Sequence, residues 1–132
     1  MSPLETVNYY DSVAKQLQMS VTSLQSYARL FMVPGMHHCG GGPGPNVFDT
    51  LTPLVSWVEE GAAPNSLLAV HYANNDPSKK VTRTMPLCAY PSTALFTGGN
   101  VEDGDAWVCS QTPRSGSSTN ASYLHEASLR LD

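Results

Sequence analysis

The chain has 132 residues, 41% of them hydrophobic and 14% charged, with a formal net charge of −4. That is enough apolar content for one packed domain or part of one, and the acidic balance, with no basic run longer than Lys79-Lys80, excludes a nucleic-acid partner. No apolar stretch approaches the roughly 18 residues that span a bilayer, and the N-terminus lacks the basic and apolar regions of a signal peptide, so no membrane partner is expected.

Taken in chain order, Ser2-Pro3-Leu4-Glu5 reads as a helix start. Ser2 is the N-cap, Pro3 suits the first helical position and Glu5 closes a capping box. Leu4, Val7, Ala14 and Leu17 then recur at helical spacing, which predicts a helix over Pro3 to Gln18. A short helical turn is expected around Thr22 to Tyr27. Arg29 to Val33 is a brief apolar run ended by Pro34-Gly35, the pattern of a buried strand in a parallel sheet. A long loop with five glycines follows, from Pro34 to Pro45. Asn46 is read as the cap of a second helix that Gly61 stops, with Pro53 kinking or restarting it. Ser66 to His71 reads as a strand, Asn74 to Ser78 as a turn and Val81 to Met85 as extended chain. Turns and short apolar pieces mix between Pro86 and Cys109. Residues 1–109 therefore form the structured part, and the Ser/Thr-rich stretch 110–132 is expected to be a polar, flexible tail. The alternation of helix and strand is an α/β pattern, yet two good strands cannot cover their own faces, which points to an incomplete sheet.

The glycine-rich loop holds the residues best suited to chemistry. A histidine just after a buried strand can serve as a general base, taking a proton from a hydroxyl and passing it to a leaving group. His37 and His38 both stand there, and position alone leaves open that they are surface histidines. Zinc is disfavoured, because His37-His38-Cys39 are adjacent and no second Cys/His pair lies at finger-like spacing. Gly40-Gly41-Gly42-Pro43-Gly44 is not a phosphate loop, since it lacks the Gly-Lys-Ser/Thr ending. No window matches the G-x-S-x-G nucleophile elbow of a serine hydrolase. The count of three cysteines leaves one over if two pair.

The block from Arg29 to Asn46 closely resembles the tannase and feruloyl esterase family, which carries R-L-F-M-V-P-G-M-x-H-C-G-G-G-x-G. The resemblance continues through Phe48-Asp49, Leu54-Val55, Trp57-Val58-Glu59, Gly61 and Ala63-Pro64. It resumes at Arg83, Pro86 to Pro91, Phe96 to Gly98 and Cys109. Upstream, Ser2-Pro3 and Tyr9-Tyr10 look like the segment that follows the family's acidic triad residue, so the resemblance covers roughly residues 2 to 109.

This resemblance implies the C-terminal part of an α/β-hydrolase fold and a Ser-Asp-His carboxylic ester hydrolase acting on small-molecule esters of aromatic acids. It assigns the base to His38. It implies that Cys39 pairs with a cysteine directly before the nucleophilic serine, and that Cys88 and Cys109 form a second disulfide. Position 37, usually glycine in the family, is a local variation. The nucleophile segment G-C-S-x-G-G, the triad aspartate and the lid domain are not found here, so the chain is expected to be a fragment, inactive alone. No cofactor is expected in it, calcium being possible in the lid. Its expected partner is the missing N-terminal portion, or a second copy pairing through an open sheet edge. The family implies a secreted or periplasmic protein. Asn120-Ala121-Ser122 is a glycosylation sequon. The alternative is a non-catalytic binding or structural module, or a decayed-gene product, reusing this fold segment.

Overall fold

The computed structural model describes residues 2–111. Helix α1 spans Pro3–Gln16, and the Ser2 hydroxyl accepts the Leu4 amide at 3.3 Å. A second, one-turn helix, α2, spans Val21–Leu24 and is capped by Ser20, whose hydroxyl accepts from the Ser23 amide at 3.0 Å. Tyr10, Ala14 and Leu24 bury against each other, with Val13, Leu30 and Tyr90 packed around them.

Three strands form an antiparallel sheet in the order β1-β2-β3: β1 is Val47–Phe48, β2 Ser66–Tyr72 and β3 Val81–Cys88. Leu67 pairs with Leu87, and Ala69 lies between Phe48 and Met85. Alternation along β2 turns Leu67 and Ala69 inward to a second cluster with Leu87, against which Phe31, Val33 and Phe48 pack. The hairpin β4 (Thr93–Phe96) and β5 (Trp107–Ser110) follows. The disulfide Cys88–Cys109 bolts the end of β3 to β5, as the family resemblance implies. Arg83 on β3 adds a bidentate ion pair with Glu102, its Nη2 at 2.7 Å from Oε1. That pairing holds the Glu102 carboxyl below the usual glutamate range.

Four expectations are corrected. Arg29 to Val33 is not a strand of a parallel sheet: its one β-contact is a single antiparallel bridge, Phe31 to Ala89. Its apolar residues are there to plug the β2-β3 cluster, and burial without a ladder looks the same in sequence as a buried strand. Every strand pair among the described residues is antiparallel, so the parallel pairing is not seen, while the mixture of helices and two small sheets agrees with the expected incomplete sheet. Asn46 does not cap the next helix, α3 (Leu51–Glu60). Val47-Phe48 intervene as β1, and the Asp49 carboxylate accepts the amides of Leu51 and Thr52 at 2.9 and 3.1 Å. Pro53 thereby falls in the first turn, where a missing N–H costs nothing. Finally, Ser110 belongs to β5 rather than to the tail. The tail from 112 onward and its sequon lie outside the described residues.

Two outcomes are expected. Replacing Cys88 and Cys109 with serine should lower stability by about 3 kcal/mol, because the bridge closes a loop with a separation of 21 residues; urea titration measures it. The Glu102 carboxylate, with its depressed folded pKa, stabilises fully above about pH 5, and that contribution disappears as pH falls through the folded value. Glu102→Gln should therefore flatten the acid limb of a stability-versus-pH curve.

Candidate active site

The loop from Pro34 to Asn46 is closed twice. At its base the Gly44 amide donates to the Gly35 carbonyl at 3.0 Å. Nearer the tip, His37 donates its amide to the Gly41 carbonyl at 3.0 Å, and Gly40 donates back to the His37 carbonyl at 3.3 Å. The two turns press backbone against backbone. A Cβ on Gly42 would run into the Gly35 carbonyl oxygen and sit 2.9 Å from the His37 nitrogen. One on Gly44 would meet the Pro34 carbonyl oxygen, so these glycines are sterically required.

This folding leaves His37, His38 and Cys39 exposed at the tip. Cys39 is in the left-handed region at φ 69°, a conformation that costs a non-glycine residue roughly 1–2 kcal/mol. Such local strain is typical of residues held in place for function. The Cys39 thiol is free, and its Sγ lies 2.9 Å from His38 Nδ1. The structure therefore brings His38 and Cys39 into contact. Among the described residues no serine hydroxyl and no carboxylate hydrogen-bonds to His38, and no group of three or more His, Cys, Asp or Glu side chains could hold a metal. Cys88 and Cys109 lie apart from the tip, in β3 and β5.

Two supporting residues escape a reading by sequence pattern. Asn46 fastens the far end of the loop: its amide donates to the Val70 carbonyl at 3.1 Å, and its Nδ2 donates to Gly44 O at 3.0 Å and Asn75 Oδ1 at 2.7 Å. Arg29 fastens the near side. Its Nη1 donates to Pro64 O at 2.6 Å and Asn65 Oδ1 at 2.7 Å, its Nε donates to Gln25 O at 3.1 Å, and its guanidinium lies 5.4 Å from the Trp57 ring centre. An arginine opening an apolar run, with a tryptophan downstream, is the only trace of this in the sequence.

The same block of residues stands out in comparison with known proteins. The profile of the family described as tannase and feruloyl esterase matches residues 1–110. An uncharacterised esterase of Xanthomonas campestris is 37% identical over 97% of this chain, which covers 26% of that protein. A mono(2-hydroxyethyl) terephthalate hydrolase of Piscinibacter sakaiensis is 41% identical over 85% of the chain and 18% of its own length. The crystal structure of an esterase from Aspergillus oryzae superposes with a TM-score of 0.75 at 30% identity, covering 83% of this chain and 24% of that one. This chain thus spans about a quarter or less of these relatives' length. The profile match, the relatives and the superposition agree: the chain belongs to the tannase and feruloyl esterase family.

Proposed function

We propose that this chain is the C-terminal part of an α/β-hydrolase domain and supplies the general base, His38, to a serine carboxylesterase acting on esters of aromatic acids. The observation that carries the reading is the exposed tip of the glycine loop, where His38 and the free Cys39 stand side by side. A base must reach a proton on another element, and a tip fixed by backbone hydrogen bonds presents it without flexible-loop entropy. In the proposed reaction the His38 imidazole takes the proton of an incoming serine hydroxyl as that oxygen attacks the ester carbonyl. It returns the proton to the departing alcohol, and repeats the cycle with water to release the acid. An aspartate would hold the ring through Nδ1. The Cys39 thiol now occupies the neighbourhood of that nitrogen. Oxidation of Cys39 and a cysteine beside the nucleophile to a disulfide, with both thiol protons lost and two electrons passed to a disulfide oxidant of an oxidising compartment, would tie the two halves of the site together.

The aromatic-ester class is supported by the relatives, whose names include feruloyl esterases and a terephthalate ester hydrolase. A secreted or periplasmic setting is supported by the Cys88–Cys109 bridge, because disulfides persist in oxidising compartments. No helix among the described residues is long and apolar enough to cross a membrane.

In a complete esterase carrying this segment, His38→Ala should lower kcat by about 10⁴-fold or more, since members of a triad act as a unit. His37→Gly should change it by no more than about twofold. The reverse ranking, read from methyl ferulate and methyl gallate hydrolysis, would reassign the base. The chain alone, with no nucleophile elbow, should show no turnover of either ester. Ordinary enzymatic rates from the pure chain would refute the proposed division of labour.

A further inference from the structure

The turn that joins β2 to β3 is closed by its own bonds. Ala73 donates its amide to the Lys80 carbonyl at 3.0 Å, Asp76 to the Ala73 carbonyl at 3.2 Å and Lys79 to the Asp76 carbonyl at 2.9 Å. The Asp76 carboxylate accepts the Ser78 amide at 2.9 Å. None of these bonds uses the side chain of Asn74 or Asn75. Yet both residues sit in the left-handed region, at φ 59° and 56°. Asparagine tolerates that region better than most residues, but as a rule singly rather than in succession. Strain of this kind persists where the surrounding structure holds it for a purpose.

At Asn75 the purpose is visible. Its Oδ1 accepts from Asn46 Nδ2 at 2.7 Å, across 29 residues of sequence. The same Nδ2 donates to the Gly44 carbonyl at 3.0 Å. A side-chain amide has two protons to give, and here both are placed, which fixes the Asn46 side chain in one rotation. Gly44 in turn donates its amide to the Gly35 carbonyl. Gly42 lies so close to that carbonyl and to the His37 nitrogen that a Cβ would strike both. A run of contacts thus leads from the β2–β3 turn to the residue before His38. We propose that Asn75 is a positioning residue for the His38 loop: its side-chain oxygen, aimed by the left-handed backbone, locks Asn46 and through it the returning arm of the loop, so that the tip is presented in one place. This role rests on the reading of His38 as the general base, and Asn75 itself meets no reacting atom. Aspartate at this position keeps the acceptor and tolerates the conformation, whereas glycine relieves the backbone and lacks the acceptor.

The full chain tests the anchoring without any activity. Hydrogen exchange read by NMR at single amides should be about tenfold faster at His37 and Gly44 in Asn75→Gly than in the unsubstituted chain, and unchanged at Ala73, whose amide closes the turn. Asn75→Asp should keep the original rates. Asn74→Gly removes the same backbone strain beneath a side chain that makes no hydrogen bond among the described residues, and should alter nothing in the loop. Circular dichroism checks folding; if Asn75→Gly does not fold, Asn75→Ser, too short to reach Asn46, decides. In a complete esterase carrying this segment, kcat for methyl ferulate should fall about fivefold in Asn75→Gly with KM within about twofold, and recover in Asn75→Asp. Loop rates that do not respond to Asn75→Gly overturn the proposal, as does an equal rise at Ala73, a failure of Asn75→Asp to retain the slow rates, or an unchanged kcat where His38→Ala abolishes turnover. A loop loosened by Asn75→Gly in an esterase indifferent to His38→Ala refutes the functional reading instead and leaves the anchoring standing.

Discussion

A single guanidinium ties together three segments that are far apart in the chain. Arg29 reaches backward to the Gln25 carbonyl, forward to Ala63, Pro64 and Asn65, and sideways over Trp57. These contacts join the end of α2, the tail of α3 and the entry to β2. Tyr90 completes the clasp from the other side. Its amide donates to Leu30, its carbonyl accepts from Gln25, its ring meets Tyr10 edge-on, and its hydroxyl donates to Asp11. The helical cluster around Tyr10 and the sheet cluster around Leu67 are separate cores, and this polar stitching is what keeps them in register. Hydrogen bonds to carbonyls at element ends suit the task, since those acceptors have no partner within their own helix or strand.

The position of His38 follows from that frame. Phe31 and Val33 are held against Leu67, Ala69 and Leu87, so the chain enters the loop from a fixed point. Asn46 fixes the exit against β2. Between these posts the glycines let the backbone close on itself, and the tip is left to project. Rigidity at the base and exposure at the tip are complementary requirements for a base that must meet a group on another element.

The sequence made some of this legible and hid the rest for identifiable reasons. Ser2-Pro3 and Gly61 mark helix ends because capping is local chemistry, and each does so in the structure. The Cys88–Cys109 pairing came from family resemblance; spacing alone could not have chosen it. Arg29 to Val33 was misjudged because apolar character reports burial and not hydrogen-bonding pattern. Asn46 looked like a cap because two of its three partners, Val70 and Asn75, lie 24 and 29 residues away. The histidine loop was recognisable as a motif, yet its two closures, Gly44 to Gly35 and His37 to Gly41, are backbone contacts that no periodicity reveals.

The stitching by Tyr90 also constrains the order of events on the ribosome. Its partners Gln25 and Asp11 precede it by 65 and 79 residues. At about 5–20 residues per second, α1 and α2 emerge several seconds before the tyrosine that docks them. During that interval Tyr10, Ala14 and Leu24 have only nearby partners such as Val13 and Leu30, and the cluster lacks the tyrosine that closes it. Helices α1 and α2 are therefore made well before the residue that docks them and settle only after it.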